Sequence, residues 1–198
     1  MLLHRGVFDR FRALDTESII NEGYLRSESF RPTAIRSGSG IPIFISHKHS
    51  DLNDLEGILT YFQKHFRVVP YLDCFDDGMP LATCAETAIR IKQVIEYCPK
   101  FIFLATEDAL RSKWCNWEVG IADQLKFPTF DMAVFPLLDS GTSAKKYIGN
   151  EYLQIYPYIE AVNNASGVGG HHLSVSVPSS HGLNRVSLGA WLNNRLED

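Results

Sequence analysis

The chain has 198 residues, of which 45% are hydrophobic and 21% charged, and its formal net charge is −4. That composition is ordinary for a soluble globular protein, and the length suits one well-filled α/β domain with an appendage. The mild acidity supplies no general basic field, so neither nucleic acid nor an anionic membrane is an expected partner.

The N-terminus, Met1-Leu2-Leu3-His4-Arg5-Gly6, lacks the apolar run of a signal peptide, and Asp9, Arg10 and Arg12 follow too soon for one. No stretch approaches the ~18 apolar residues of a spanning helix. Cys74, Cys84, Cys98 and Cys115 are scattered without CxxC spacing. They fit reduced, mostly packed thiols, and the expected location is the cytoplasm. Asn164-Ala165-Ser166 matches the glycosylation acceptor pattern but in such a chain is only a loop.

Residues 1–40 read as an N-terminal extension and linker. Val7 to Leu25 has weak helical spacing (Phe8, Phe11, Ile19, Ile20), and Arg31-Pro32 and Ser37-Gly38-Ser39-Gly40 have linker chemistry. From residue 41 to 198 strands and helices alternate. Ile43-Phe44-Ile45 is a short buried strand that runs into the polar string Ser46 to Asp51. The next helix carries Leu55, Leu59, Phe62 and Phe66 on one face. Arg67 to Asp73 is a second strand, and Pro70 within it predicts a sheet edge or a bulge.

An elaborate polar loop, Cys74 to Thr83, leads into a helix over Ala85 to Cys98 with Ala88, Ile91, Ile95 and Cys98 turned inward. Lys100 to Thr106 is nearly continuous apolar, as a strand covered on both faces should be. Met132 to Leu138 is another such strand, and Leu173 to Val177 alternates like a half-exposed one. Tyr152 to Ile159 reads as a short helix distorted by Pro157. Val186 to Leu196 reads as a closing amphipathic helix.

Short connections between alternating elements predict a flavodoxin-like three-layer α/β sandwich. Its five-stranded parallel sheet would have the order 2-1-3-4-5. Pro70 then falls on one edge strand and the alternating Leu173–Val177 segment on the other. Ligands of such sheets bind beyond the C-terminal strand ends, where the winding direction switches. That point gathers Ser46–Asp51, the Cys74–Thr83 loop and the start of the helix that contains Ser112 to Asp123.

This last helix carries the most unusual pattern. Advancing about 100° per residue, it puts Trp114, Trp117, Ile121 and Leu125 on one face, with Glu118 inside it. Asn116, Asp123 and Lys126 fall on the far side. An ionised carboxylate among tryptophans is costly to desolvate unless paired. Helix geometry alone leaves two readings: a Glu satisfied by backbone or an Arg, or a carboxylate in a cleft awaiting a positively charged substrate. The convergence of three polar segments on one crevice favours the second.

Three motifs, FISHKHSD at 44–51, the Asp76-Asp77-Gly78-Met79-Pro80 loop and SKWCNWE at 112–118, together resemble a TIR (Toll/interleukin-1 receptor-like) domain. AETA at 85–88 and NEYLQIYPYI at 150–159 are similar to the bacterial single-domain members. The resemblance implies an enzyme, an NAD⁺ nucleosidase (glycohydrolase or cyclase) that breaks the nicotinamide–ribose bond, with NAD⁺ as substrate and no cofactor. It places the catalytic carboxylate at Glu118 and an aromatic at Trp114. It places ribose and phosphate contacts at Ser46, His47 and Lys48, and Asp77 in a loop over the site. It further implies TIR–TIR self-association and a role in Thoeris-like anti-phage defence, where an ADP-ribose-derived product activates a separate effector protein. The other reading is a non-catalytic TIR adaptor that acts by assembly alone.

A metal site deserves comparison, because His47-Lys48-His49-Ser50-Asp51 is an HxHxD string after a strand. Leu52 stands where the metallo-β-lactamase signature has His, and nothing places His171 or His172 nearby, so no metal is expected. Asp51 is expected to cap the following helix instead. Ser166 to Gly170 lacks the Lys of a phosphate loop and reads as a flexible connection. Cys115 and Trp117 read as packing, and Phe44 as core near the pocket floor.

Overall fold

The computed structural model describes residues 1–12, 40–72, 84–142, 150–162, 172–179 and 182–193. The 74–83 loop with Asp77, the linker up to residue 39, His171 and the Ser166–Gly170 run lie outside these residues. In chain order the strands are β1 (Leu3–His4), β2 (Ile41–Ser46), β3 (Val68–Tyr71), β4 (Lys100–Ala105), β5 (Met132–Leu138), β6 (Tyr158–Val162), β7 (His172–Ser179) and β8 (Gly182–Ser187). The α-helices are α1 (Asp9–Arg12), α2 (Leu52–Phe66), α3 (Ala85–Tyr97), α4 (Glu107–Arg111), α5 (Lys113–Lys126) and α6 (Leu188–Asn193). Short 3₁₀ turns cover His49–Asp51 and Glu151–Ile155.

The sheet runs β3-β2-β4-β5-β6-β7-β8, and β1 pairs with β5 off this path. Its first four strands are parallel and follow the expected order, with β3 and its Pro70 at the edge. The far side departs from expectation. Of the short helix expected over Tyr152 to Ile159 only a 3₁₀ turn over Glu151–Ile155 forms, and after Pro157 the chain becomes a strand, Tyr158–Val162, parallel to β5. The Leu173–Val177 segment is therefore neither the edge nor parallel: β7 runs antiparallel between β6 and β8. Gly182–Ser187 form β8, although Val186 and Ser187 were expected in the closing helix, and among the described residues of that stretch Leu188–Asn193 are helical.

Period-two alternation divides the apolar side chains into two cores. Ile43, Ile45, Ile102, Leu104 and Phe135 meet Leu55, Ile58 and Phe62 of α2 and Trp191 of α6 on one face. Phe44, Phe101, Phe103, Met132 and Val134 meet Ile91 and Ile95 of α3 and Val119 and Ala122 of α5 on the other. Phe44 stacks at 5.5 Å on both Tyr71 and Phe101, its register partners on the neighbouring strands. Each such aromatic pair contributes about 0.5–1.5 kcal/mol beyond its area. Phe44 is thus a strut of the central sheet, away from solvent.

Residues 1–12 pack on this body. Leu3 and His4 pair with Leu137 and Leu138, while the Met1 carbonyl accepts from Ala161 N at 2.9 Å. β1 therefore fills the gap where β5 and β6 diverge. Phe8 is buried against Tyr61 and Phe135. α1 can lie this close to α2 because residue 57 is glycine: a Cβ there would stand 2.5 Å from the Phe8 carbonyl oxygen.

Candidate active site

The crevice predicted from the winding lies between the C-terminal ends of β2 and β4, since β3 sits to one side of β2 and β4 to the other. Ser46 ends β2, and alternation turns it to the same face as Phe44, the face that α5 covers. α5 starts at this crevice because Ser112 caps it, accepting from Cys115 N.

The buried stripe of α5 is Cys115, Glu118, Val119, Ala122 and Lys126. This corrects the expected face. Leu125 is exposed, and Lys126, expected outside, is buried with its ammonium donating to the Glu96 carbonyl at 2.9 Å. Burial holds the Lys126 pKa below its ordinary value. Size explains the rotation: Cys, Val and Ala let the helix lie close on the sheet, while Trp114 and Trp117 flank the contact, half-buried. Their rings are 4.9 Å apart and tilted by 32°. The structure does not separate the two tryptophans by burial.

Glu118 is 2% exposed, and Ser46 Oγ donates to its Oε2 at 2.5 Å. This charge-assisted bond offsets part of the desolvation cost of the carboxylate. His47 is also buried, with Nδ1 3.0 Å from the Ile45 carbonyl. A carbonyl only accepts, so Nδ1 carries the proton. The next link to α5 comes from Cys115, whose Sγ donates to the His47 carbonyl at 3.3 Å. Ser46 and Glu118 thus meet, the His47 backbone reaches the same helix at Cys115, and Trp114 lies one helical turn before Glu118. Lys48 stands exposed at the rim.

The loop after His47 is fixed by groups that local sequence patterns did not reveal. Asp51 is fully buried at the start of α2, yet its side chain caps nothing there. Instead Thr106 Oγ1 donates to Oδ2 at 2.6 Å and Arg5 Nη2 to Oδ1 at 3.0 Å. Thr106 itself was readable as the cap of α4, since its hydroxyl accepts from Ala109 N. Among the described residues no three His, Cys, Asp or Glu side chains gather as metal ligands. A second group braces α5 from outside: Tyr152 OH donates to Asn116 Oδ1, and Tyr156 OH to Asp123 Oδ1 at 2.9 Å. Burial and that carboxylate push the Tyr156 hydroxyl above its ordinary pKa.

Of the cysteines, Cys98 is wholly buried and its thiol is pushed up to about 12 by burial, so it is unreactive. No helix among the described residues is long and apolar enough to cross a membrane.

No family model matches the chain. Over 119 residues it is 30% identical to "Probable 3' cyclic ADP-D-ribose synthase ThsB'" of Bacillus cereus (strain MSX-D12), and the match covers 59% of each chain. The similarity thus spans somewhat less than two thirds of that relative. This relative and the mostly parallel central sheet are both consistent with the TIR resemblance of the sequence motifs.

Proposed function

We propose that this protein breaks the nicotinamide–ribose bond of NAD⁺, with Glu118 as the catalytic carboxylate, and converts the ADP-ribose portion into a cyclic signal. The observation that carries the reading is the Ser46–Glu118 pair. A carboxylate only 2% exposed accepts from the Ser46 hydroxyl at the switch point of the sheet, where a negative charge would attract a cationic ligand. The named activity of the 30%-identical relative supplies the substrate class.

The chemistry suits one carboxylate. The C1′–N bond breaks with both electrons passing to the pyridinium nitrogen, so nicotinamide leaves neutral and needs no proton. C1′ becomes an oxocarbenium-like centre, and Glu118 stabilises that charge as it develops. A hydroxyl of the same ADP-ribose then attacks C1′ and gives up its proton, closing a ring. Attack by water instead yields free ADP-ribose. Ser46 orients the carboxylate, Trp114 offers a face to the cationic ring, and His47, Lys48 and Asp77 contact ribose and phosphate. On this reading the product reaches a separate effector protein in anti-phage defence, and self-association of TIR surfaces completes the active form. The protein would act in the cytoplasm, with no cofactor beyond its substrate.

The deciding experiment is mass spectrometry of the products formed from NAD⁺ by wild type and Glu118→Ala. The expected product is one water lighter than ADP-ribose, and the variant should make none. Nicotinamide release by Glu118→Ala at the wild-type rate would sink the assignment. If wild type releases none across a range of protein concentrations, the adaptor reading gains.

A further inference from the structure

We propose that Arg5 is a positioning residue for the candidate site: through Asp51 it fixes the far end of the loop that starts at Ser46. The loop is held at both ends, and Ser50 Oγ also donates to Asp108 Oδ2 at 3.0 Å. At one end Ser46 belongs to β2 and donates to Glu118. At the other, Asp51 is 0% exposed and bound by Arg5 and Thr106. Between the anchors Lys48, His49 and Ser50 are exposed, and Asp51 N donates back to the Lys48 carbonyl at 2.8 Å. The Cys115 contact to the His47 carbonyl then ties the middle of the loop to α5.

Arg5 is suited to this by geometry. Its Nε donates to Asp54 Oδ2 at 2.8 Å while Nη2 reaches Asp51, and Gly6 N donates to the second Asp54 oxygen at 3.0 Å. Asp139 lies 3.8 Å from Nη1, and Arg12 lies 3.9 Å from Asp54. The planar fork thus joins two carboxylates on the first turns of α2, a task that a single ammonium cannot reproduce. Without it, a fully buried Asp51 carboxylate would keep the Thr106 hydroxyl but lose its cation, and hydration would favour moving the loop end outward. Ser46 would then lose its fixed approach to Glu118, and the His47 carbonyl its approach to Cys115. Residues 1–12, far from the three motifs in sequence, become part of the working site.

The kinetic arm of the test rests on the NAD⁺ reading, and the exchange arm does not. Hydrogen exchange by mass spectrometry should show the 46–51 segment opening about tenfold faster or more in Arg5→Gln. Val175→Ala, a core truncation in β7, serves as the control for a general loss of stability and should leave that segment within about twofold of wild type. In nicotinamide release, Arg5→Gln and Asp51→Asn should each lower kcat by about tenfold per folded molecule, and the double variant should be no worse than either. Arg5→Lys should recover only part of the loss. If Arg5→Gln fails to fold, Asp51→Asn reads the same link from its other end. Loop exchange in Arg5→Gln and Asp51→Asn no faster than in Val175→Ala overturns the proposal. If wild type cleaves no NAD⁺, the exchange result decides alone.

Discussion

Ser46 and Glu118, 72 positions apart in the chain, meet in a buried hydrogen bond of 2.5 Å at the end of β2. The hydroxyl donates to Oε2 of a carboxylate that water scarcely reaches. A hydrogen bond to a charged group is worth about 1.5–3 kcal/mol. On the proposed NAD⁺ cleavage, Ser46→Ala is therefore expected to slow nicotinamide release by about 10–100-fold while the protein still folds. Initial rates at saturating NAD⁺, with a thermal melt alongside, check this. An undiminished rate would mean that Glu118 needs no orienting donor.

Trp114 and Trp117 touch each other and are both half-buried, so substitution must divide their roles. If Trp114 faces the cationic ring, Trp114→Ala should lower kcat/KM by about 3–30-fold, the range of a cation–π contact. Trp117→Ala should mainly lower the melting temperature. Kinetics and melts of both variants test the division, and equal effects on catalysis would abolish it.

Gly57→Ala forces a Cβ to within 2.5 Å of the Phe8 carbonyl oxygen. Since that obstacle is backbone, α1 must back away from α2, at a cost of about 1–3 kcal/mol. For a chain of this size that is roughly 2–10 °C in melting temperature. Calorimetry measures it directly. An unchanged melting point would show that the two helices separate without penalty.

Glu160 gives a pH signature. Burial pushes its carboxyl upward, but hydrogen bonds from Ser176, the Met1 amine and Arg185 outweigh this and bring it from 4.5 down to about 2. The unfolded chain therefore takes up this proton first as pH falls. The stabilisation is whole above the unfolded value and is lost as pH drops through about 2. The melting temperature of wild type minus that of Glu160→Gln should be largest above about pH 5 and shrink steadily in acid. A difference independent of pH would contradict the ionised pairing.

Much of this architecture is visible in the chain itself. The strands at 41–46, 100–105 and 132–138 are long apolar runs without a competing period, and Pro70 marks its own edge strand. The segment 152–159 misleads because its aromatic spacing suits a helix, while Pro157 turns its end into a strand. On α5 the tryptophans draw the eye to the wrong stripe, while the smaller Cys115, Val119 and Ala122 decide which side meets the sheet. Ser46 and Glu118 could be placed in one crevice because winding rules locate the switch point. Arg5 could not, since a pair formed between positions 5 and 51 leaves no local trace in either segment.

The seating of β1 bears on the order in which the chain acquires its shape. Met1 and Ala161 are 160 positions apart, and the groove that receives Leu3 exists only once β5 and β6 lie side by side. Loop closure over so long a span is entropically late. The earliest stretch of this sequence must therefore wait, uncommitted, until nearly all the sheet is assembled.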